Sequence, residues 1–70
     1  MEVHWENGFE ISAATDACGA VVISANREGM VSLARILLAL AEEDPGSHVH
    51  LDAFSSLEEG SSELIIERTA

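Results

Sequence analysis

Apolar residues along this chain follow a two-residue period, then a helical one, then a two-residue period again. In "VHWENGFEIS" (3–12) the alternation is broken once, at Asn7-Gly8, which reads as a hairpin turn. A two-residue turn would scatter the apolar side chains over both faces. A three-residue loop, Glu6-Asn7-Gly8 with Gly8 left-handed, pairs Trp5 with Phe9 and Val3 with Ile11, so four large apolar groups share one face. "TDACG" (15–19) is the next turn. A loop over Asp16-Ala17-Cys18 sets Ala13 opposite Val21 and Ile11 opposite Ile23 on the same core face.

The period then changes. Asn26 is an N-cap type with Glu28 in the first turn behind it, where the positive end of the helix dipole favours a carboxylate. Met30, Leu33, Leu37 and Leu40, with Ala34 and Ala41, recur at helical spacing, which predicts a helix near residues 27–43 with that stripe buried. Pro45-Gly46 ends it. "HVHLDAF" is the next strand, with Val49, Leu51 and Ala53 inward. "SSLEEGSS" is a loop anchored by Leu57 or Phe54, and "ELIIERT" is the last strand, with Leu64 and Ile66 inward.

The expected fold is α+β, in the order β-β-β-α-β-β. A single helix packs on one face of a four- to five-stranded, mainly antiparallel sheet, in one small domain over residues 1–70. If the strands over 19–25 and 48–53, which flank the helix, are neighbours, they are parallel with a right-handed crossover. Trp5 is expected in the core. A chain of 70 residues buries only about 60% of its unfolded surface, which leaves little room for a deep catalytic cavity.

Charge narrows the partners. Thirteen acidic residues against three basic ones give a formal net charge of −10. Nucleic acid and anionic membranes are poor partners for such a surface, whereas a basic protein is steered toward it. The lone Cys18 excludes an internal disulfide and agrees with a reducing compartment. "MEVHWENG" has neither the basic nor the apolar part of a signal peptide, so a cytoplasmic location is expected. "LARILLALA" is too short to span a bilayer.

A helix on one face of the sheet leaves the other to the outward-alternating residues. These are His4, Glu10, Ser12 and Val22, then His48, His50 and Asp52, then Glu63, Ile65 and Glu67. "HVHLD" (48–52) also has the His-x-His-x-Asp spacing of metallo-β-lactamase-type hydrolases. In those much larger proteins, however, further ligands come from elsewhere, and zinc needs three or four ligands with an oriented second layer. The same spacing is what the wet side of a strand produces. No Ser lies in a nucleophile elbow, Cys18 has no histidine near it in sequence, and "GFEISAATDACG" lacks the spacing and lysine of a phosphate loop. A non-catalytic protein without cofactor is the expectation.

Three segments together, "NREGMVSLARILLALA" (26–41), "HVHLD" (48–52) and "LEEGSSELIIER" (57–68), resemble the small bacterial proteins called immunity protein 32. The resemblance covers roughly residues 24 to 68. Its most specific parts are the Asn-Arg-Glu-Gly helix start and the Gly-Ser-x-Glu-Leu-Ile-Ile-Glu ending; the N-terminal hairpin does not contribute. It implies a protein that protects the cell from a polymorphic toxin encoded beside it, by binding rather than by chemistry. Net charge suits that role where the toxin is a nuclease with a basic groove.

The expected partner surface is therefore Glu10, His48, His50, Asp52, Glu63 and Glu67; the acidic run Glu42-Glu43-Asp44 reads first as a solvated helix end, with an acidic corner kept for a partner as the alternative. Two other readings compete with the toxin inhibitor. One is a metal-binding protein using His48, His50 and Asp52. The other is a homo-oligomeric module, such as a homodimer, that buries an open sheet face containing Val22 and Ile65 against itself.

Overall fold

A computed structural model describes residues 2–70. The chain forms β1 (Ile11–Thr15), β2 (Val21–Ala25), α1 (Arg27–Ala41), β3 (His48–Leu51) and β4 (Leu64–Glu67). The class is α+β with one helix, as the periodicity implies. The sheet differs from expectation: β1 pairs only with β2, and β3 only with β4, giving two antiparallel two-stranded sheets instead of one. The strands flanking the helix, β2 and β3, lie in different sheets, so no parallel crossover forms.

Hydrogen bonding explains the division. The edge of β1 away from β2 is occupied by the loop that precedes β4. Glu58 and Ser62 donate their amides to the carbonyls of Ile11 and Ala13, both at 2.8 Å, and the Ala13 amide donates to Ser61 Oγ at 3.2 Å. A serine side chain and an irregular loop thus satisfy groups that a strand would otherwise bond, and β4 forms its ladder with β3.

The N-terminal strand is also absent. Trp5 and Phe9 do meet, with rings stacked 4.5 Å apart, and Gly8 takes the expected positive φ of 82°. Yet the Glu6 amide donates to the hydroxyl of Ser32 on α1 at 2.8 Å, and Arg35 holds the Glu6 carboxylate at 2.8 Å. The segment is strapped to the helix through Glu6, and residues 3–10 form no strand. Trp5 is half-buried and, with Val3 and Phe9, packs on the rim of the core.

The β1–β2 register is two residues from the expected one: Ile11 faces Ala25, and Ala13 faces Ile23. The turn takes five residues because the Asp16 carboxylate accepts the amides of Cys18 and Ala20, at 2.8 and 2.9 Å. A shift of two preserves which side chains share a face.

Helix α1 begins where its cap predicts: Asn26 Oδ1 accepts the Gly29 amide at 2.8 Å. It ends at Ala41, short of residue 43. Three carboxylates, Glu42, Glu43 and Asp44, follow at the negative end of the dipole, and the last turn carries no basic residue. The cation comes from the far end of the chain, where Arg68 Nη1 donates to the carbonyls of Ala41 and Glu43.

The buried face of α1 is Gly29, Ser32, Leu33, Ile36 and Leu40, a stripe rotated from the expected one. Met30 and Leu37 are about half exposed, at 52% and 54%. The rotation follows from close packing at the helix start. A side chain on Gly29 would run into the Glu10 carbonyl and would sit 2.9 Å from Ile11 Cγ1 and 3.0 Å from Ala25 Cβ. Ser32 is fully buried yet satisfied, since its hydroxyl accepts from Glu6 and donates to the Glu28 carbonyl at 2.8 Å. The core gathers Ile11, Ala13, Leu33, Ile36, Leu40, Leu51 and Leu57.

Two stability measurements check this geometry. In urea unfolding, Ile36→Ala should cost about 2–5 kcal/mol, whereas Leu37→Ala should cost less than about 1 kcal/mol. Equal effects would mean that the helix is rotated from the position described. Gly29→Ala, favourable by about 1 kcal/mol in a solvent-facing helix, should instead destabilise, because the contact with the Glu10 carbonyl forces backbone apart. A stabilised Gly29→Ala variant would contradict the close approach.

Candidate functional site

The two histidines of "HVHLD" lie on a strand, as their spacing implies. Val49 and Leu51 point inward, while His48 and His50 are exposed. In the β3–β4 ladder His48 faces Glu67 and His50 faces Ile65, so the outward side of this sheet is His48, His50, Ile65 and Glu67. Glu63 reaches diagonally to His50, with Oε2 3.7 Å from Nδ1, and both side chains are about half exposed. The two imidazoles meet edge to face, with centroids 4.9 Å apart.

Asp52 does not join this face. The strand stops at Leu51, and the Asp52 carboxylate turns onto the following loop, accepting the Phe54 amide and the Ser55 hydroxyl at 3.0 Å each. Its carbonyl accepts the amides of Ser55, Ser56 and Leu57. Asp52 is thus the residue that folds the turn, a role typical of an aspartate ahead of polar loop residues. Among the described residues, no three His, Cys, Asp or Glu side chains come together in a group that could hold a metal ion.

Glu10 is placed elsewhere. It precedes β1 in the other sheet, where it borders a shallow depression with Ser12, Ser24 and Glu58. His4 lies beside α1, with its carbonyl 3.5 Å from Arg35 Nη1. Val22 and Ile65, expected on one open face, belong to different sheets. Of the six residues expected to form one partner surface, the structure brings together His48, His50, Glu63 and Glu67.

Two neighbours of this surface were not joined to it by sequence reasoning. The acidic corner at the helix end adjoins His48: a concavity of about 480 Å³ is lined by Leu40, Glu43, Pro45, Gly46, Ser47 and His48. The Ser47 amide bonds the Asp44 carbonyl, and the pairing of Gly46 and Ser47 with Arg68 folds the chain back here. The second is Phe54. Leu57 takes the anchoring role and is 6% exposed, while Phe54 on the Asp52 turn is 99% exposed. An aromatic at the crest of a polar loop is a signal in hindsight, but apolar residues are more often anchors.

The surface electrostatics follow from where the cations are used. Arg35 pairs with Glu6, Arg68 caps the helix end, and Arg27 lies 3.8 Å from Glu28. Among the described residues, none of the three forms an ion pair with Glu63 or Glu67; the ionisable neighbour of Glu63 is His50. Among the described residues, no helix is long and apolar enough to cross a membrane.

Neither a curated protein nor a solved structure matches the chain. The sequence profile of Immunity protein 32 does match, over residues 20–69, a span that runs from the start of β2 through α1, β3 and β4 and leaves out β1. With that much of its length in the match, the chain belongs to the immunity protein 32 family.

Proposed function

We propose that this immunity protein neutralises its cognate toxin by binding it, without chemistry, through the outward side of β3–β4. The surface comprises His48, His50, Glu63 and Glu67, extended at one end by the Glu42-Glu43-Asp44 corner and at the other by the Phe54 turn. The observation that carries this reading is the placement of charge. A chain of net charge −10 has only three arginines, and among the described residues none of them forms an ion pair with Glu63 or Glu67, so this strand face keeps its carboxylates. The toxin is a polymorphic toxin encoded beside the immunity gene, and the surface it presents is basic, such as the substrate groove of a nuclease. Acidic residues then accelerate encounter, and Phe54, at one end of the surface, supplies an exposed aromatic ring to be buried against the toxin. Glu10 stands apart on the other sheet and has at most a long-range influence.

The direct test is Glu63→Lys combined with Glu67→Lys, assayed for melting temperature, for association rate with the toxin at several salt concentrations, and for protection of cells. Asp52 is left intact because it folds the adjoining turn. Stability should change by less than about 0.5 kcal/mol per site, while association slows and loses much of its salt dependence. A folded double variant that associates and protects as before would remove this face from the interface.

Phe54→Ala gives an independent check. The ring is 99% exposed, so the free protein should melt unchanged. Affinity for the toxin should fall at least about tenfold, equivalent to about 1.4 kcal/mol. Unchanged affinity would mean that the Phe54 turn stays in solvent in the complex.

A further inference from the structure

The two sheets differ in how their surfaces are charged. Around β2 the sequence "ACGAVVISAN" (17–26) holds no charged residue, in a chain where 23% of residues are charged. Val21, Val22 and Ile23 are exposed at 68%, 44% and 40%, so both faces of the strand are apolar and wet. Its backbone edge is open too. Asp16 donates its amide to the Ala20 carbonyl, and Asn26 donates to the Glu10 carbonyl. Alternation along the register then makes Ala14–Val22 and Ser12–Ser24 the pairs that exchange bonds across β1–β2. The amides and carbonyls of Val21 and Ile23, with Ala25 at the strand end, point away from β1. The opposite edge of β1 shows the same alternation, since the Ile11 and Ala13 carbonyls face the loop. Among the described residues, the outward groups of Val21 and Ile23 have no hydrogen-bond partner.

Monomeric proteins guard such an edge with lysine, proline, a bulge or a covering loop. β2 has no charge, no proline and an uninterrupted five-residue register. We propose that β2 is a self-pairing edge: a second copy of this chain adds its own β2 antiparallel to the first, about a two-fold axis near Ile23, making a four-stranded sheet across the dimer.

Three observations select a second copy as the occupant. The segment is neutral, so two chains of net charge −10 can meet there without opposing carboxylates at the contact. The geometry is self-complementary: with Ile23 on the axis, outward-facing Val21 falls opposite the outward-facing Ala25 of the second copy, so every outward group finds a partner. The ends are complementary in charge as well. Arg27, 79% exposed and two residues beyond the strand, comes beside the Asp16–Gly19 turn of the second copy. The exposed area of 4724 Å² also exceeds the about 4,200 Å² usual for a monomer of 7.5 kDa, as expected of a chain with surface still to cover. This inference does not depend on the toxin-binding reading, because it uses the other sheet.

Sedimentation equilibrium and amide hydrogen exchange on the full chain test it. The expected result is a species of twice the chain mass that dissociates on dilution. The Val21 and Ile23 amides should exchange slowly at high concentration and quickly when dilute, while the inward-bonded amides of Val22 and Ser24 stay protected throughout. Ile23→Lys, which sets like charges against each other at the axis, and Val21→Pro, which removes one outward amide without touching the β1 ladder, should each give a monomer that keeps its helical circular dichroism. A wild-type chain that stays monomeric, with fast exchange at Val21 and Ile23 at every concentration, overturns the proposal. So does a dimer that persists in either folded variant. Protection of these amides only on addition of the toxin also overturns it and assigns the edge to a toxin strand. Should both variants unfold, the concentration dependence of wild-type exchange decides the matter alone.

Discussion

The fold depends on one junction, the amide side chain of Asn26 at the start of the helix. Its Oδ1 accepts from Gly29 inside the helix and from Glu10 at the head of β1, while its Nδ2 donates to the carbonyl of Gly8. One side chain thus ties together the N-terminal turn, the first sheet and the helix. The absence of a side chain at Gly29 completes the junction by letting the helix start rest on the Glu10 carbonyl. These contacts fix the rotation of α1 about its axis. From that rotation follow the burial of Ile36 in place of Leu37, the inward position of Ser32, and the strap from Glu6 that draws the N-terminal segment onto the helix.

This dependence explains what could be read from the sequence. Asn26 as a cap and the strand character of 11–15, 21–25, 48–51 and 64–67 are local properties, visible in residue type and period. Which arc of the helix is buried is not local. The apolar residues of α1 extend well beyond the buried stripe, so periodicity admits several rotations, and a glycine and a serine select among them. A reading that counts only large apolar groups passes over both. The missing N-terminal strand is of the same kind: its alternation is local, whereas the strap from Glu6 to Ser32 that draws the segment onto the helix is not. The single sheet failed because a loop with serines at the right positions can satisfy a strand edge as well as a strand can.

The candidate site was legible to the extent that period two controls it. His48, His50 and Glu67 were assigned to one face by alternation, and the ladder places them there. Asp52 was placed with them by extending the same period one step too far, past the point where its own carboxylate captures the next turn. The acidic corner beside His48 could not be found this way. It is joined to the strand face by Arg68, a residue more than twenty positions away that supplies the helix C-terminus with the cation it lacks.

A chain this small has one modest core, and its division into two ribbons leaves each sheet with a surface of its own. Those surfaces differ in kind. On β3–β4, outward positions are imidazoles and carboxylates around Ile65; on β2 they are valine, isoleucine and serine, with no charged residue. Contact at an acidic surface is governed by long-range attraction and is sensitive to salt, whereas contact at a neutral strand edge is governed by backbone pairing and short-range apolar burial. The two can operate together because neither sheet borrows a strand from the other. Had the chain formed the single sheet its periodicity suggests, the acidic strands and the neutral edge would have shared one continuous face. The serine-rich loop over 58–62, by occupying the edge of β1, keeps these two kinds of surface on separate ribbons.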